Sequence, residues 1–332
     1  AMSLPPVEIP LGAMRFNSDS QELEYWNGSE WRQFNTFSPD LDGGSRGLIM
    51  GGYYSSPGPG STHNVIEYIT IPTRGDAADF ADLTVSSRDN SSAASRTRGL
   101  SMGRADNDDT ISYVTFASKG TNAADFGNLI TSRRGCEGVS NETRALCAGG
   151  NNDGGTHYNV IEYVTIAETS NAVDFGDLTT TKTRSAGASS PTRGVFMTGS
   201  PGVTNNIDFV NIASIGNAQD FGDTEQLNGN SSAVASATRM VAASSNKTMA
   251  SIQFATKGES IDWGFMLVER SSFAAMSDSV RGVWAGGDGS PAQFREMDYF
   301  QISSGGLCHD FDNLAYPNQQ TSGCSNGHGG LG

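Results

Sequence analysis

The hexamer IEYITI at residues 66–71 returns as ISYVTF at 111–116, IEYVTI at 161–166 and IDFVNI at 207–212. MASIQF at 249–254 and MDYFQI at 297–302 are weaker copies. Each copy is rich in β-branched and aromatic residues, which pack well on a pleated surface, so each reads as a β-strand. Working outward, an acidic–aromatic pair follows every copy: Asp79–Phe80, Asp125–Phe126, Asp174–Phe175, Asp220–Phe221, Asp262–Trp263 and Asp310–Phe311. An arginine opening a small or apolar run precedes every copy. The runs are RGLIMGG at 46–52, RALCAGG at 144–150 and RGVWAGG at 281–287, with Arg98, Arg193 and Arg239 opening the other three. Short runs of small residues stand before four of these arginines, at 91–95, 185–189, 231–236 and 272–277.

Self-similarity at a fixed period is the signature of a repeat architecture. Four strand candidates in roughly 47 residues make a propeller blade, and six copies predict an all-β, six-bladed β-propeller over 39–332. The small-residue runs suit the innermost strand, where chains crowd around the axis. The first unit has no such run before Arg46. Residues 321–328, TSGCSNGH, have the right composition to supply it and close the ring, with His328 in the place of the arginine. Closure removes exposed sheet edges, a liability of all-β proteins.

The unit resembles a kelch repeat: Arg before strand two, Gly-Gly at its end, an acidic–aromatic third strand and an aromatic in the fourth. The resemblance spans 45–328. It departs where Asp-Phe-Gly replaces the usual Trp, and where units four and five lack Gly-Gly. Residues 12–31, GAMRFNSDSQELEYWNGSEW, read differently. Asn27–Gly28 between apolar runs signals a hairpin. The string resembles a small β-meander common in bacteriophage tail-fibre and other virion proteins. That resemblance implies an attachment segment at 1–38 contacting other virion proteins, a particle-surface location and a host-surface glycan or protein as ligand.

The net charge of −15, with no offsetting basic stripe, disfavours nucleic-acid binding. No apolar run approaches the ~20 residues of a membrane helix, and the N-terminal AMSLPP carries no signal-peptide pattern. Cys136, Cys147, Cys308 and Cys324 form no C-x-x-C pair. Cys136 and Cys324 fall at small-residue positions and read as buried. Asp-Phe-Gly at 125–127, 174–176 and 220–222 spells a kinase metal-binding triplet but lacks the accompanying loops, so Asp reads as a turn cap and Phe as core. His63, His157, His309 and His328 lie in different units without ligand spacing. Kelch-type propellers include copper radical oxidases, which need paired Tyr, His and Cys ligands; a close His pair is missing. The reading is a binding protein without cofactor or metal, with a propeller oxidase or glycan-active enzyme as the alternative. Rigid scaffolds carry binding residues on variable loops. The loops after strand two supply Tyr53, Tyr54, Asp106, Asp108, Asp153, His157, Tyr158 and Asp288 as candidates.

Overall fold

The computed structural model describes residues 9–17, 22–33, 45–54, 60–106, 108–201, 205–224, 227, 229–289 and 293–332. The chain divides into two compact units, Ala1–Asp40 and Leu41–Gly332. The first holds three antiparallel strands, β1 (Met14–Asn17), β2 (Glu22–Trp26) and β3 (Trp31–Gln33). Asn27 Oδ1 accepts the N–H groups of Ser29 and Glu30, and Gly28 takes φ +99°, so the Asn-Gly pair closes the β2–β3 turn. Arg15 lies over the Trp31 ring at 4.2 Å and pairs with Glu24 at 2.8 Å.

The second unit is six sheets. Sheet 1 joins β4 (Arg46–Tyr54), β5 (Ser61–Thr70) and β6 (Ala78–Asp82) to β28 (Ser322–Ser325). Sheet 2 is β7 (Ser91–Ala94), β8 (Arg98–Arg104), β9 (Asp108–Thr115) and β10 (Ala124–Asn128). Sheet 3 is β11 (Glu137–Ser140), β12 (Arg144–Ala148), β13 (Val160–Thr165) and β14 (Val173–Asp177). Sheet 4 is β15 (Ala186–Ser189), β16 (Arg193–Met197), β17 (Asn206–Asn211) and β18 (Gln219–Asp223). Sheet 5 is β19 (Ser232–Ala235), β20 (Arg239–Ala243), β21 (Thr248–Gln253) and β22 (Ile261–Phe265), with β26 (Gly306–Leu307) added in parallel. Sheet 6 is β23 (Ala274–Ser277), β24 (Arg281–Ala285), β25 (Glu296–Gln301) and β27 (His309–Asn313). No α-helix occurs among the described residues.

The recurrent hexamer is the third strand of each sheet. Its aromatic meets the ring of the acidic–aromatic pair edge-on in five sheets, for example Tyr113 on Phe126 and Tyr163 on Phe175, both at 5.8 Å. The core is six apolar clusters, one at each junction between neighbouring sheets. One of them packs Ile49, Ile69 and Ile71 of sheet 1 against Val283, Ala285 and Phe311 of sheet 6. The first strands touch in the order β28, β7, β11, β15, β19, β23, and β23 again meets β28. All four cysteines are buried as free thiols.

Three sets of polar contacts repeat along this series. At the outer side, one N–H of each sheet donates to the fourth strand of the sheet before it. The pairs are Ala123 to Asp82, Ala172 to Asn128, Ala218 to Asp177, Ser260 to Asp223, Cys308 to Phe265 and Ala77 to Asn313. At mid-radius, the repeating arginine donates to a carbonyl of the next sheet: Arg46 to Phe116, Arg98 to Ile166, Arg144 to Ile212, Arg193 to Phe254 and Arg281 to Ile71. Arg239 departs, donating instead to Ser251 in its own sheet. At the inner side, Ser140, Ser189, Ser277 and Ser325 donate their hydroxyls to Ala94, Ser140, Ala235 and Ser277 carbonyls. The arginine is thus an inter-sheet staple whose guanidinium lies over an aromatic ring of its own sheet.

The Asp-Phe-Gly reading needs correction. Phe126, Phe175 and Phe221 are buried, but the aspartates cap no turn: they stand exposed within the fourth strand. A charge on an edge strand discourages edge-to-edge pairing, which is a sufficient role for them. The glycine carries the constraint. Gly176 has φ +140°, and a Cβ there would lie 2.7 Å from the Gly216 carbonyl of the next sheet. Gly176→Ala is expected to cost roughly 2–3 kcal/mol through backbone strain and overpacking. A thermal melt checks this; an unchanged Tm would refute the close-approach role.

Candidate functional site

The connections leaving the second strands and those entering the first strands come together at one end of the sheets. Backbone bridges tie Tyr53 to Gln319, Arg134 to Asn151, Thr183 to Ser200 and Ser271 to Asp288. Just inside them, the residue two positions before each first strand takes a left-handed conformation, with φ between +52° and +59° at Asp89, Gly135, Arg184, Asn230, Ser272 and Gln320. Successive members are joined N–H to carbonyl: Gln320 to Ser272, Asp89 to Gln320, Gly135 to Asp89 and Arg184 to Gly135, at 2.7–2.9 Å. They frame the mouth of a central channel enclosed by the six first strands.

Charge gathers at this mouth. Asp89 is buried and receives Arg184 Nη2 on both oxygens, at 3.2 and 3.0 Å. Arg184 lies two sheets away, so the pair spans the opening. Arg134 adds contacts to Asp89 at 3.9 Å and to Asp153 at 3.3 Å. Behind the mouth, Glu137 takes the place held by Ser91, Ala186, Ser232, Ala274 and Ser322 in the other first strands. Burial holds its carboxyl well above the usual carboxylate range, and the Gly187 N–H is its hydrogen-bond donor. Gly187 is required there, because a Cβ would overlap the Glu137 side chain.

A second feature rises beside the mouth. In sheet 1 the β4–β5 hairpin is longer than its counterparts, and Tyr53 and Tyr54 stand near its tip. Tyr54 stacks on Tyr316 at 6.4 Å and 22°, and meets the His63 ring at a tilt of 47° and 5.6 Å. His63 Nε2 is 3.1 Å from Asn318 Oδ1, and burial keeps its pKa below the ordinary value. Tyr316 is 64 % exposed, which leaves its ring available as a platform. Arg88 lies 5.5 Å over Tyr53. The hairpin tip at 55–59 falls outside the described residues, as does Pro291 of the sheet 6 loop.

The other predicted residues separate. Asp153 belongs to the mouth through Arg134. His157 Nδ1 meets Thr183 Oγ1 at 2.9 Å, and the Tyr158 N–H donates to Gly150, so both organise the sheet 3 loop. Asp108 is paired with Arg104, which together with bonds from Thr110 outweighs its desolvation and lowers its pKa. Asp106 and Asp288 are exposed, Asp106 in a left-handed turn at φ +73°. Sequence reasoning missed Asp89, Arg134, Arg184, Glu137 and Tyr316, which lie in connections or at repeat positions with no pattern of their own.

His328 does not replace an arginine. Arg46 keeps the equivalent place itself, its N–H capped by Asn326 Oδ1 at 2.7 Å as Ser95 caps Arg98. His328 instead turns into the far end of the channel, with Nε2 2.9 Å from the Ala94 carbonyl and Nδ1 accepting the Gly330 N–H. Burial lowers its pKa to about 4, below its ordinary 6.5. The folded state therefore binds fewer protons than the unfolded one between these values. The stabilisation is complete above pH 6.5 and is lost as pH falls toward 4. Tm should decline less steeply over that window in His328→Gln than in the parent; parallel declines would contradict this.

No family model matches the chain, and no curated protein matches it.

Proposed function

We propose that the six sheets are the blades of a closed, kelch-like six-bladed β-propeller, and that the protein is a bacteriophage virion component binding a host-surface ligand through its loop end. The cyclic order of first-strand contacts and the sheet 6-to-sheet 1 bonds from Ala77 and Arg281 support closure. The observation that carries the binding role is the aromatic tier in which Tyr54 and His63 of the long hairpin meet Tyr316 from the connection after β27, beside the mouth. Stacked rings next to amide and carboxylate groups suit a sugar face, with its apolar C–H surface and hydroxyl rim. The N-terminal meander then serves as the attachment segment to other virion proteins.

Two experiments test this. Peptides of the chain should be present in purified phage particles by mass spectrometry. Tyr54→Ala and Tyr316→Ala should weaken binding to host cells or their surface glycans about tenfold, the loss of roughly 1.4 kcal/mol expected of a buried aromatic contact. Tm should stay within about 2 °C of the parent. Undiminished binding by both variants would remove the platform from the reading, and turnover on a glycan panel would favour the enzyme alternative.

A further inference from the structure

In sheets 3, 4 and 6 the connection entering the first strand sets a buried cation against a buried carboxylate of the third strand: Arg133 on Glu162, Lys182 on Asp208 and Arg270 on Asp298. A guanidinium stays protonated and cannot act as a nucleophile. Of these three sheets, only sheet 4 places a primary amine there. The Lys182 and Asp208 side chains are fully inaccessible, and Nζ lies 3.4 Å from Oδ2. Burial lowers the Lys182 pKa from its ordinary 10.5, which favours the neutral, nucleophilic amine. Nζ donates to the Phe196 carbonyl at 3.3 Å and the Asn206 carbonyl at 2.7 Å. A neutral amine that keeps both bonds has its lone pair left for the third side, where Asp208 stands. The carboxylate is asymmetric. Oδ1 accepts the Thr179 hydroxyl at 2.5 Å and the Asn206 side-chain amide at 3.2 Å, whereas Oδ2 is buried with no hydrogen-bond partner. One oxygen is held by two donors, as a developing oxyanion requires, and the other faces the amine.

We propose that Lys182 and Asp208 condense to an intramolecular isopeptide bond, joining the connection before β15 to β17. One proton passes from Nζ to Oδ2, giving amine and carboxylic acid. Nζ attacks Cγ, and the carbonyl electron pair moves onto Oδ1, held by Thr179 and Asn206. A second Nζ proton passes to Oδ2, the Cγ–Oδ2 bond breaks, and water leaves. One ammonium and one carboxylate become one secondary amide and one water, with no change in net charge and no oxidant or reductant. Holding the two groups in contact supplies the effective concentration that this reaction lacks in water. The neutral amide also removes the desolvation cost of a buried ion pair. A further charge acting on Lys182 is Asp220, the register partner of Asp208 on β18, an exposed carboxylate able to exchange protons with solvent. The link closes residues 182–208 into a covalent ring containing β15 and β16. The inference does not depend on the virion reading.

Intact mass spectrometry of the denatured full chain tests it. The mass should fall about 18 Da below the sequence value, the loss of one water on amide formation. A proteolytic digest should contain a branched peptide in which Lys182 is joined to Asp208. Lys182→Arg, which reproduces the ion pair of sheets 3 and 6, should show its full sequence mass. A parent chain that keeps its full sequence mass after prolonged incubation overturns the proposal and leaves an ordinary ion pair. So does a water loss that fragmentation places at other residues, or one that persists in Lys182→Arg. The parent's mass and branched peptide decide the matter even if the variant does not fold.

Discussion

Removal of residues 321–332 should unfold sheet 1 and lower the Tm of the second unit by 10 °C or more. β28 is the only strand beside β4 on its inner side, paired from Ser322–Met50 to Ser325–Gly47. Its loss frees the backbone of Gly47–Met50 and uncovers Leu48, Ile49 and Met50, all essentially inaccessible in the intact fold. The bonds from Thr321 Oγ1 to the Met50 carbonyl, from the Arg46 N–H to Asn326 Oδ1 and from Arg96 to the Leu331 carbonyl disappear with it. Several hydrogen bonds at about 1 kcal/mol each, plus apolar burial worth about 1.5–3 kcal/mol per side chain, reach roughly 5–10 kcal/mol. That is comparable with the whole stability of a typical domain. Calorimetry gives the size of the effect. Hydrogen exchange gives its place: residues 46–54 and 61–70 should lose protection before sheets 3 and 4. A Tm within about 2 °C of the parent would refute the structural role of β28.

Arg133→Met should cost about 3–5 kcal/mol, because it leaves Glu162 buried without its cation. Both side chains are fully inaccessible, 3.4 Å apart, and the Glu162 carboxylate also accepts the Ile130 and Thr131 N–H groups. The same two repeat positions hold Lys182 with Asp208 and Arg270 with Asp298, but Ser87 and Ser112 in sheet 2. There the Ser112 hydroxyl bonds to Thr84 and no charge is buried. The fold therefore accepts a neutral version of this site. R133M/E162Q, which removes the buried charge and keeps an acceptor for one of the two N–H groups, should regain part of the lost stability in chemical denaturation. A double variant as unstable as Arg133→Met alone would show that the arginine acts through packing and its bonds to Cys147 and Val160 rather than through the pair.

The two pairs of results separate what repetition reveals from what it hides. The third strands, the acidic–aromatic pairs and the arginines were legible because each recurs once per sheet under the same packing demand. The first strand of sheet 3 is less legible: Cys136 before it suits the small-residue pattern, but Glu137 interrupts it, and the pairing of Glu137–Ser140 with Ala145–Ala148 identifies the strand. The arginines show a similar split. Their recurrence is plain in the chain, but their acceptors lie 61–70 residues away or, for Arg281, 210 residues back. The candidate site divides likewise. Tyr53 and Tyr54 stood out by composition, whereas their companion Tyr316 comes from the far end of the sequence.

The sequence by itself determined an all-β chain of six similar units, because periodic apolar and aromatic residues can be buried only in repeated strands. The tertiary structure alone decided which groups meet at the mouth and in the channel. Asp89, Arg184 and Glu137 belong with three different sheets, and short-range pattern carries no information about distances between chain segments that only packing brings together.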